Sequence, residues 1–291
     1  YIEVIEADIA IIIDTRLSEK NEIRLKNQIT NYTLHSARPD TPARGVSVLI
    51  RKSLPFIVLN IEKDDETANY LFIEGEIYNR RINLLGVYGP NRDNPVFYRN
   101  MFDKLAANGA EFHLMLGDLN VTLNPELDNQ NYQDENQNPE ARAKILELME
   151  HRNYHDPMRE TSGNKKLWTW SSNQGPQKAR LDNAICNHAL RRYVVKTTFL
   201  SKLSSDHRGI MVTLDFDKFI SGRGIWKIPR HLLELEDYQA KIHEGWKEIY
   251  SRYFRHEDYR DFYTQCTDEE RRTFKELTFE ELSELPMKAN H

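Results

Sequence analysis

The chain has 291 residues, 39% of them hydrophobic and 29% charged, with a formal net charge of −5. That length allows a large core, as one domain or one domain with an appendage. The overall sign excludes a globally basic nucleic-acid binder, and no apolar run approaches the ~20 residues of a membrane-spanning helix.

"ADIAIIIDTRL" (7 to 17) opens with a buried strand over Ile9 to Ile13, and Asp14 stands at its C-terminal end. "GVSVLI" (45 to 50), "ANYLFIEGEIY" (68 to 78) and "RINLLGVYG" (81 to 89) follow as strands, the last two as a hairpin across "NR". A helix over 94 to 107 starts with Asn94 as cap and Pro95 in its first turn, with Phe97, Met101, Phe102 and Leu105 on one face. "FHLMLGDLN" (112 to 120) is a strand ending in an acid. The Asn-, Gln- and Asp-rich stretch 124 to 138 is a loop, and 140 to 152 is an amphipathic helix. Strands resume with "KLWTWSS" (166 to 172), "RLDNAICN" (180 to 187) and "GIMVTLDF" (209 to 216), where Ile210, Val212 and Leu214 alternate with Met211, Thr213 and Asp215. From 221 the character shifts to charged helix, with a domain boundary near 218 to 228. Cys186 and Cys266 have neither metal-ligand nor redox spacing, so no disulfide is expected and a reduced, intracellular setting is.

The charge is unevenly spread. Residues 159 to 230 hold 14 Lys and Arg against 5 Asp and Glu. A positive region beside acids suits a phosphodiester substrate, because basic side chains supply most of the affinity for a nucleic-acid backbone. The acids recur where strands end: Asp14, Asp118 and Asp206, with Asp182 just inside one. The sheet fixes a residue there and the loop admits substrate. "GDLN" sets Asp118 and Asn120 two apart, on one side if the extended run continues, so that one could serve as base toward a water and the other hold it or a phosphate oxygen. Tyr88 of "GVYGPN" offers a hydroxyl, with Asn91 nearby, and "SSDH" sets Asp206 beside His207. Each motif alone is an ordinary turn, core aromatic or strand end. Together they make a workable phosphodiesterase site: a histidine held by a carboxylate, beside acids that bind a hard cation.

"IIIDTRL", "RGVSVLI", "LLGVYGPN", "MLGDLN", "LWTW…ARLDNAI" and "SSDHRGIMV", in this order over residues 7 to 216, resemble the exonuclease-endonuclease-phosphatase superfamily. Within it the chain is most similar to the apurinic-type endonuclease domain of LINE-like non-LTR retrotransposons, because "GRGIWKIPRHLLELEDYQAKIHEGW" resembles the segment joining such endonucleases to a reverse transcriptase. The resemblance implies an α/β fold: a four-layer sandwich of two packed mixed β-sheets flanked by helices over 1–220, with a C-terminal helical extension over 221–291. It implies Asp118 as the acid that activates or orients water, Asn120 as stabiliser of the phosphorane, and Tyr88 on the scissile phosphate. Asp182 would pair with His207, and Asp14 and Asp206 would hold Mg²⁺, with Mn²⁺ as substitute. Thr169, Lys178, Arg180, Asn91 and Arg16 would face DNA. The implied activity is nicking of one strand of double-stranded target DNA in the nucleus, leaving a 3′-hydroxyl for a downstream reverse transcriptase domain, with element RNA as a further partner and no membrane. A host repair endonuclease, a phosphatase of the same fold and a catalytically weak DNA-docking module are the alternatives. Two departures stand out. Asp14 replaces the family's usual Glu, and the family's opening strand with its Asn is not among these 291 residues.

Overall fold

The computed structural model describes Ile2 and residues 4–39, 43–132, 138–201 and 205–216. The expected boundary at 218 to 228 and the expected helical extension lie outside the described residues. In chain order the strands are β1 (Ile9–Ile13), β2 (Tyr32–Ala37), β3 (Val46–Arg51), β4 (Phe56–Lys63), β5 (Tyr70–Ile77), β6 (Arg80–Tyr88), β7 (Phe112–Asp118), β8 (Asn129–Gln130), β9 (Tyr154–His155), β10 (Trp170–Ser171), β11 (Lys178–Ala179), β12 (Asp182–Asn187), β13 (Val194–Phe199) and β14 (Ile210–Leu214). The helices are α1 (Glu19–Gln28), α2 (Pro95–Leu105), α3 (Pro125–Asp128), α4 (Pro139–His151), α5 (Pro157–Ser162) and α6 (His188–Arg191). Among the described residues no helix is long and apolar enough to cross a membrane.

A six-stranded sheet in the order β4-β5-β6-β7-β12-β9 forms the frame. Its pairs are antiparallel except β6 with β7. That pair is parallel because α2 carries the chain back across the sheet, as a parallel connection requires. The two-residue period sorts the side chains. Leu71, Ile73, Leu84 and Leu114 face β1 and β3, while Phe72, Leu85, Val87 and Met115 face α2 and α4. The second layer comes in two antiparallel pieces, β1-β3-β2 and β13-β14, rather than as one mixed sheet. Outside it, Leu25 and Ile29 of the α1 region pack on Tyr32, Leu34 and Leu49. The order of layers is therefore helix, sheet, sheet, helix: a four-layer α/β fold.

Local chemistry sets the element ends. The β5–β6 turn is Tyr78–Asn79, one residue earlier than expected, with φ of 49° and 62°. Two left-handed residues make the hairpin turn that matches strand twist. Asn94 caps α2 by accepting from Phe97 N at 3.0 Å. For α4 the capping carboxylate comes from afar: Asp93 accepts from Glu140 N at 3.1 Å and Ala141 N at 2.7 Å. The stretch expected to be loop at 124 to 138 contains α3 and β8, and the strand expected over 166 to 172 shrinks to Trp170–Ser171, which pairs with β11.

Candidate active site

Register alone assembles the middle of the site. Tyr88 is the β6 partner of Asp118, and Asp182 is its β12 partner, so three strand ends set a phenol and two carboxylates in one row. Two glycines allow the approach. Gly117 has φ of 150°, and a Cβ there would collide with the Val87 carbonyl; at Gly89 it would collide with the Leu119 carbonyl. Asp118 is buried, and its Oδ1 accepts from Asn120 N at 2.7 Å. The extended run does not continue to Asn120, so the condition for placing it on one side with Asp118 is not met. Asn120 turns left-handed, with φ of 51°, and its Nδ2 donates to Gly89 O at 2.8 Å. Asn120 thus ties the "GDLN" turn to the "YGP" turn beside Asp118.

His207 reaches the row through Asp182: its Nδ1 lies 2.7 Å from Asp182 Oδ2. A backbone bridge between Trp170 and His207 and a bond from Arg208 N to Thr169 O at 2.7 Å hold the segment in place. Thr169 is the hub. It is 1% exposed, and its Oγ1 accepts from Leu181 N and Asp182 N, each at 3.0 Å. Its hydroxyl is spent on β12, so it does not face DNA and instead positions Asp182. Arg180 is corrected in the same way. It is 1% exposed, with Nε and Nη2 each 2.9 Å from the two oxygens of Asp128 and Nη1 2.6 Å from Asp156. A guanidinium committed to two buried carboxylates cannot reach a phosphate. Arg159 pairs with Asp128 as well, so part of the basic excess of 159 to 230 is internal.

The remaining DNA candidates lie on the surface. Asn91 and Arg16 are exposed, and half-buried Lys178 sits 4.8 Å from the Trp168 ring. Lys178 lines a small cleft with Trp168, Trp170, Ser171 and Arg208. Sequence reading missed Tyr132 and Trp170. Their rings lie 4.5 Å apart, and Trp170 Nε1 donates to Asp206 Oδ2 at 2.7 Å. The "WTW" within the expected strand was a usable signal for Trp170; nothing in "NQNYQ" singles out Tyr132.

The electrostatics oppose one another across the row. Burial and then the charge of Asp182 push Asp118 up to about 7, against the pull of His207 and the Asn120 N–H. Burial works against a charge on His207, yet the hydrogen bond and charge of Asp182, with Asp118 and Asp206, push it up to about 9. Burial also raises Tyr88, with Asp14 and Asp118 adding to it and Arg44 and Arg16 opposing. At neutral pH the site therefore holds a charged imidazole beside a carboxylate poised to take a proton.

A hard divalent cation fits these donors in a limited sense. Among the described residues no three carboxylate, imidazole or thiolate groups converge to cage a metal. Mg²⁺ does not require a cage, since it is usually held by one or two carboxylates, its own waters and substrate phosphates. The crowding of Asp182 and Asp206 that raises Asp118 is charge such an ion would relieve. Asp14 has φ of 53°, and both its oxygens accept from Arg16, at 3.1 and 2.8 Å. That pair is exposed, and exposed pairs yield readily.

No family model matches the chain. Solved structures do resemble it. An AP endonuclease from Leishmania major superposes with a TM-score of 0.61 at 18% identity, over 72% of this chain and 79% of that one. The APE2 catalytic domain from Xenopus laevis gives 0.61 at 15%, over 73% and 85%. A 3′ phosphatase from Neisseria bound to product DNA hairpin gives 0.55 at 16%, over 72% and 89%. The fold is that of the AP endonucleases.

Proposed function

We propose that this chain is a metal-dependent DNA endonuclease that nicks one strand of double-stranded target DNA. The observation that carries the reading is the row Tyr88, Asp118, Asp182, closed by the 2.7 Å bond to His207. A phosphate set against that row would meet the positive His207 and the Tyr88 hydroxyl on its non-bridging oxygens. Asp118 would take a proton from the attacking water as the oxygen–phosphorus bond forms. The P–O3′ bond then breaks, and the departing oxygen takes a proton from solvent water to become a 3′-hydroxyl opposite a 5′-phosphate. Asp14 and Asp206 would hold the cation, Mg²⁺ or in its place Mn²⁺, which would neutralise phosphate charge. Asn91, Arg16 and Lys178 are the side chains left to meet DNA.

We further propose that the 3′-hydroxyl primes reverse transcription by a downstream domain of the same polyprotein, in the nucleus and with element RNA as template. Support for this role is the resemblance of the "GRGIWKIP" segment. A repair endonuclease or phosphatase on the same fold is the second reading, favoured by the activities named for the similar structures. One assay separates them: cleavage of undamaged supercoiled plasmid against an abasic-site duplex and a 3′-phosphate duplex, each with and without Mg²⁺. Nicking of undamaged plasmid to 3′-hydroxyl ends supports the first reading. Activity confined to abasic or 3′-phosphate substrates selects the second.

A further inference from the structure

The far end of β12 carries a second group of chemically active side chains. Asp182 starts this strand and Asn187 ends it, so the two ends lie roughly 16 Å apart at the usual rise per residue. His155 of β9 pairs with Cys186 there, and His188 opens α6. Between α4 and β9, Asn153 is left-handed, with φ of 54°, and its carbonyl accepts from His188 N at 3.1 Å. The backbone therefore sets all three side chains on one corner of the molecule. His188 is exposed and the His155 side chain is 24% exposed, so solvent reaches them.

The protons on this corner are determined by Glu160. Its Oε1 lies 2.7 Å from His155 Nδ1, and its other oxygen pairs with Arg191. A carboxylate held by a guanidinium accepts and does not donate, so Nδ1 carries the hydrogen and Nε2 is the nitrogen that can offer a lone pair to a metal ion. Facing that lone pair are His188 Nδ1 at 3.2 Å and the Asn153 Oδ1 oxygen at 3.1 Å. The amide oxygen is an acceptor too. His155 Nε2 therefore has two potential metal-ligating atoms within 3.2 Å.

That spacing suits a divalent cation. Zinc binds imidazole nitrogen at about 2.0–2.1 Å in a tetrahedron, which sets neighbouring donors about 3.3 Å apart. Both measured separations are close to that edge. A ligating histidine also ordinarily gives its other N–H to a carboxylate, which is what Glu160 receives. We propose that His155, His188 and Asn153 form a site for a borderline-soft divalent cation of the zinc class, completed by water, with Glu160 fixing the tautomer of His155. The site is distinct from the carboxylate edge beside Asp118. Imidazole selects zinc, nickel or copper, whereas oxygen donors select magnesium. A bound ion would pin β9, α5 and α6 to one another and stabilise the folded chain.

The test is a zinc titration of the metal-stripped full chain in excess Mg²⁺, followed by calorimetry and by thermal unfolding. The expected result is one equivalent of zinc bound and a Tm raised by several degrees. His155→Gln and His188→Gln should each weaken binding at least about tenfold while keeping the zinc-free Tm, and Glu160→Gln should weaken it about tenfold. Asp14→Ala and Asp206→Ala should leave zinc affinity unchanged. The proposal is overturned if zinc leaves the wild-type Tm unmoved, or if the His155→Gln, His188→Gln double variant binds zinc as tightly as the wild type. Either outcome would make the cluster a hydrogen-bonded imidazole pair, and neither touches the nicking reading.

Discussion

His207 keeps its proton against the cost of burial because Asp182, Asp118 and Asp206 surround it, while burial and then the charge of Asp182 keep Asp118 half-protonated near neutrality. The sign of the pH dependence follows. Asp118 must lose its proton to accept one from water, so the nicking rate should rise through about pH 7. His207 must keep its proton to face the phosphate, so the rate should fall through about pH 9. In His207→Ala the alkaline limb should vanish and the acid limb should move up, because the charge that held Asp118 down is gone. A variant with both limbs unchanged would remove His207 from the mechanism. Asp182 and His207 act as one unit through their 2.7 Å bond, so the Asp182→Ala, His207→Ala double variant should lose about as much rate as the worse single. Additive losses would mean that the two act separately.

At the scale of elements, the site depends on strand ends that tolerate little change. Gly117→Ala should cost more than about 4 kcal/mol, measured by denaturant unfolding, because the new methyl lands on the Val87 carbonyl in a left-handed backbone. Thr169→Val keeps the volume but removes the acceptor of two buried N–H groups, at about 1–3 kcal/mol, and it should slow nicking by loosening Asp182. If Thr169→Val instead weakened DNA binding at full stability, the DNA-facing role would be restored. Arg180→Met takes the guanidinium from Asp156 and leaves Asp128 with Arg159, at about 3 kcal/mol, with the salt dependence of DNA binding unchanged.

These elements were unequally legible. Strands β3, β5 and β6 show as apolar runs because they are covered on both faces or nearly so, while β1 keeps its run although Ile12 is exposed. Strands β2, β4 and β13 and helix α1 escaped because polar residues break their pattern: "YTLHSA" hides a buried Ser36–Ser47 hydroxyl pair, and "EKNEIRLKNQ" buries little. The placement of Asp118, Asp182 and Tyr88 at strand ends could be read because each closes or opens an apolar run. The burial of Thr169 and Arg180 could not, because it rests on partners 12 to 52 residues away.

Over the whole molecule, the fold does not by itself select a substrate, since one architecture supports several phosphate chemistries. The cation is the first global variable. Chelation should abolish cleavage, and Mn²⁺ should restore it better than Mg²⁺, because the short arm of Asp14, already shared with Arg16, offers the less tolerant ion a poor ligand. The most direct measurement is single-turnover nicking of undamaged supercoiled plasmid by the wild type and Asp118→Ala, with DNA affinity measured in parallel at fixed salt. The expected result is a rate at least about a hundredfold lower in the variant at nearly unchanged affinity, because a water-activating carboxylate acts in the transition state. A variant that retains most of the wild-type rate, or a wild type that binds plasmid without cutting it, would contradict the assignment of this row as the catalytic centre of an endonuclease.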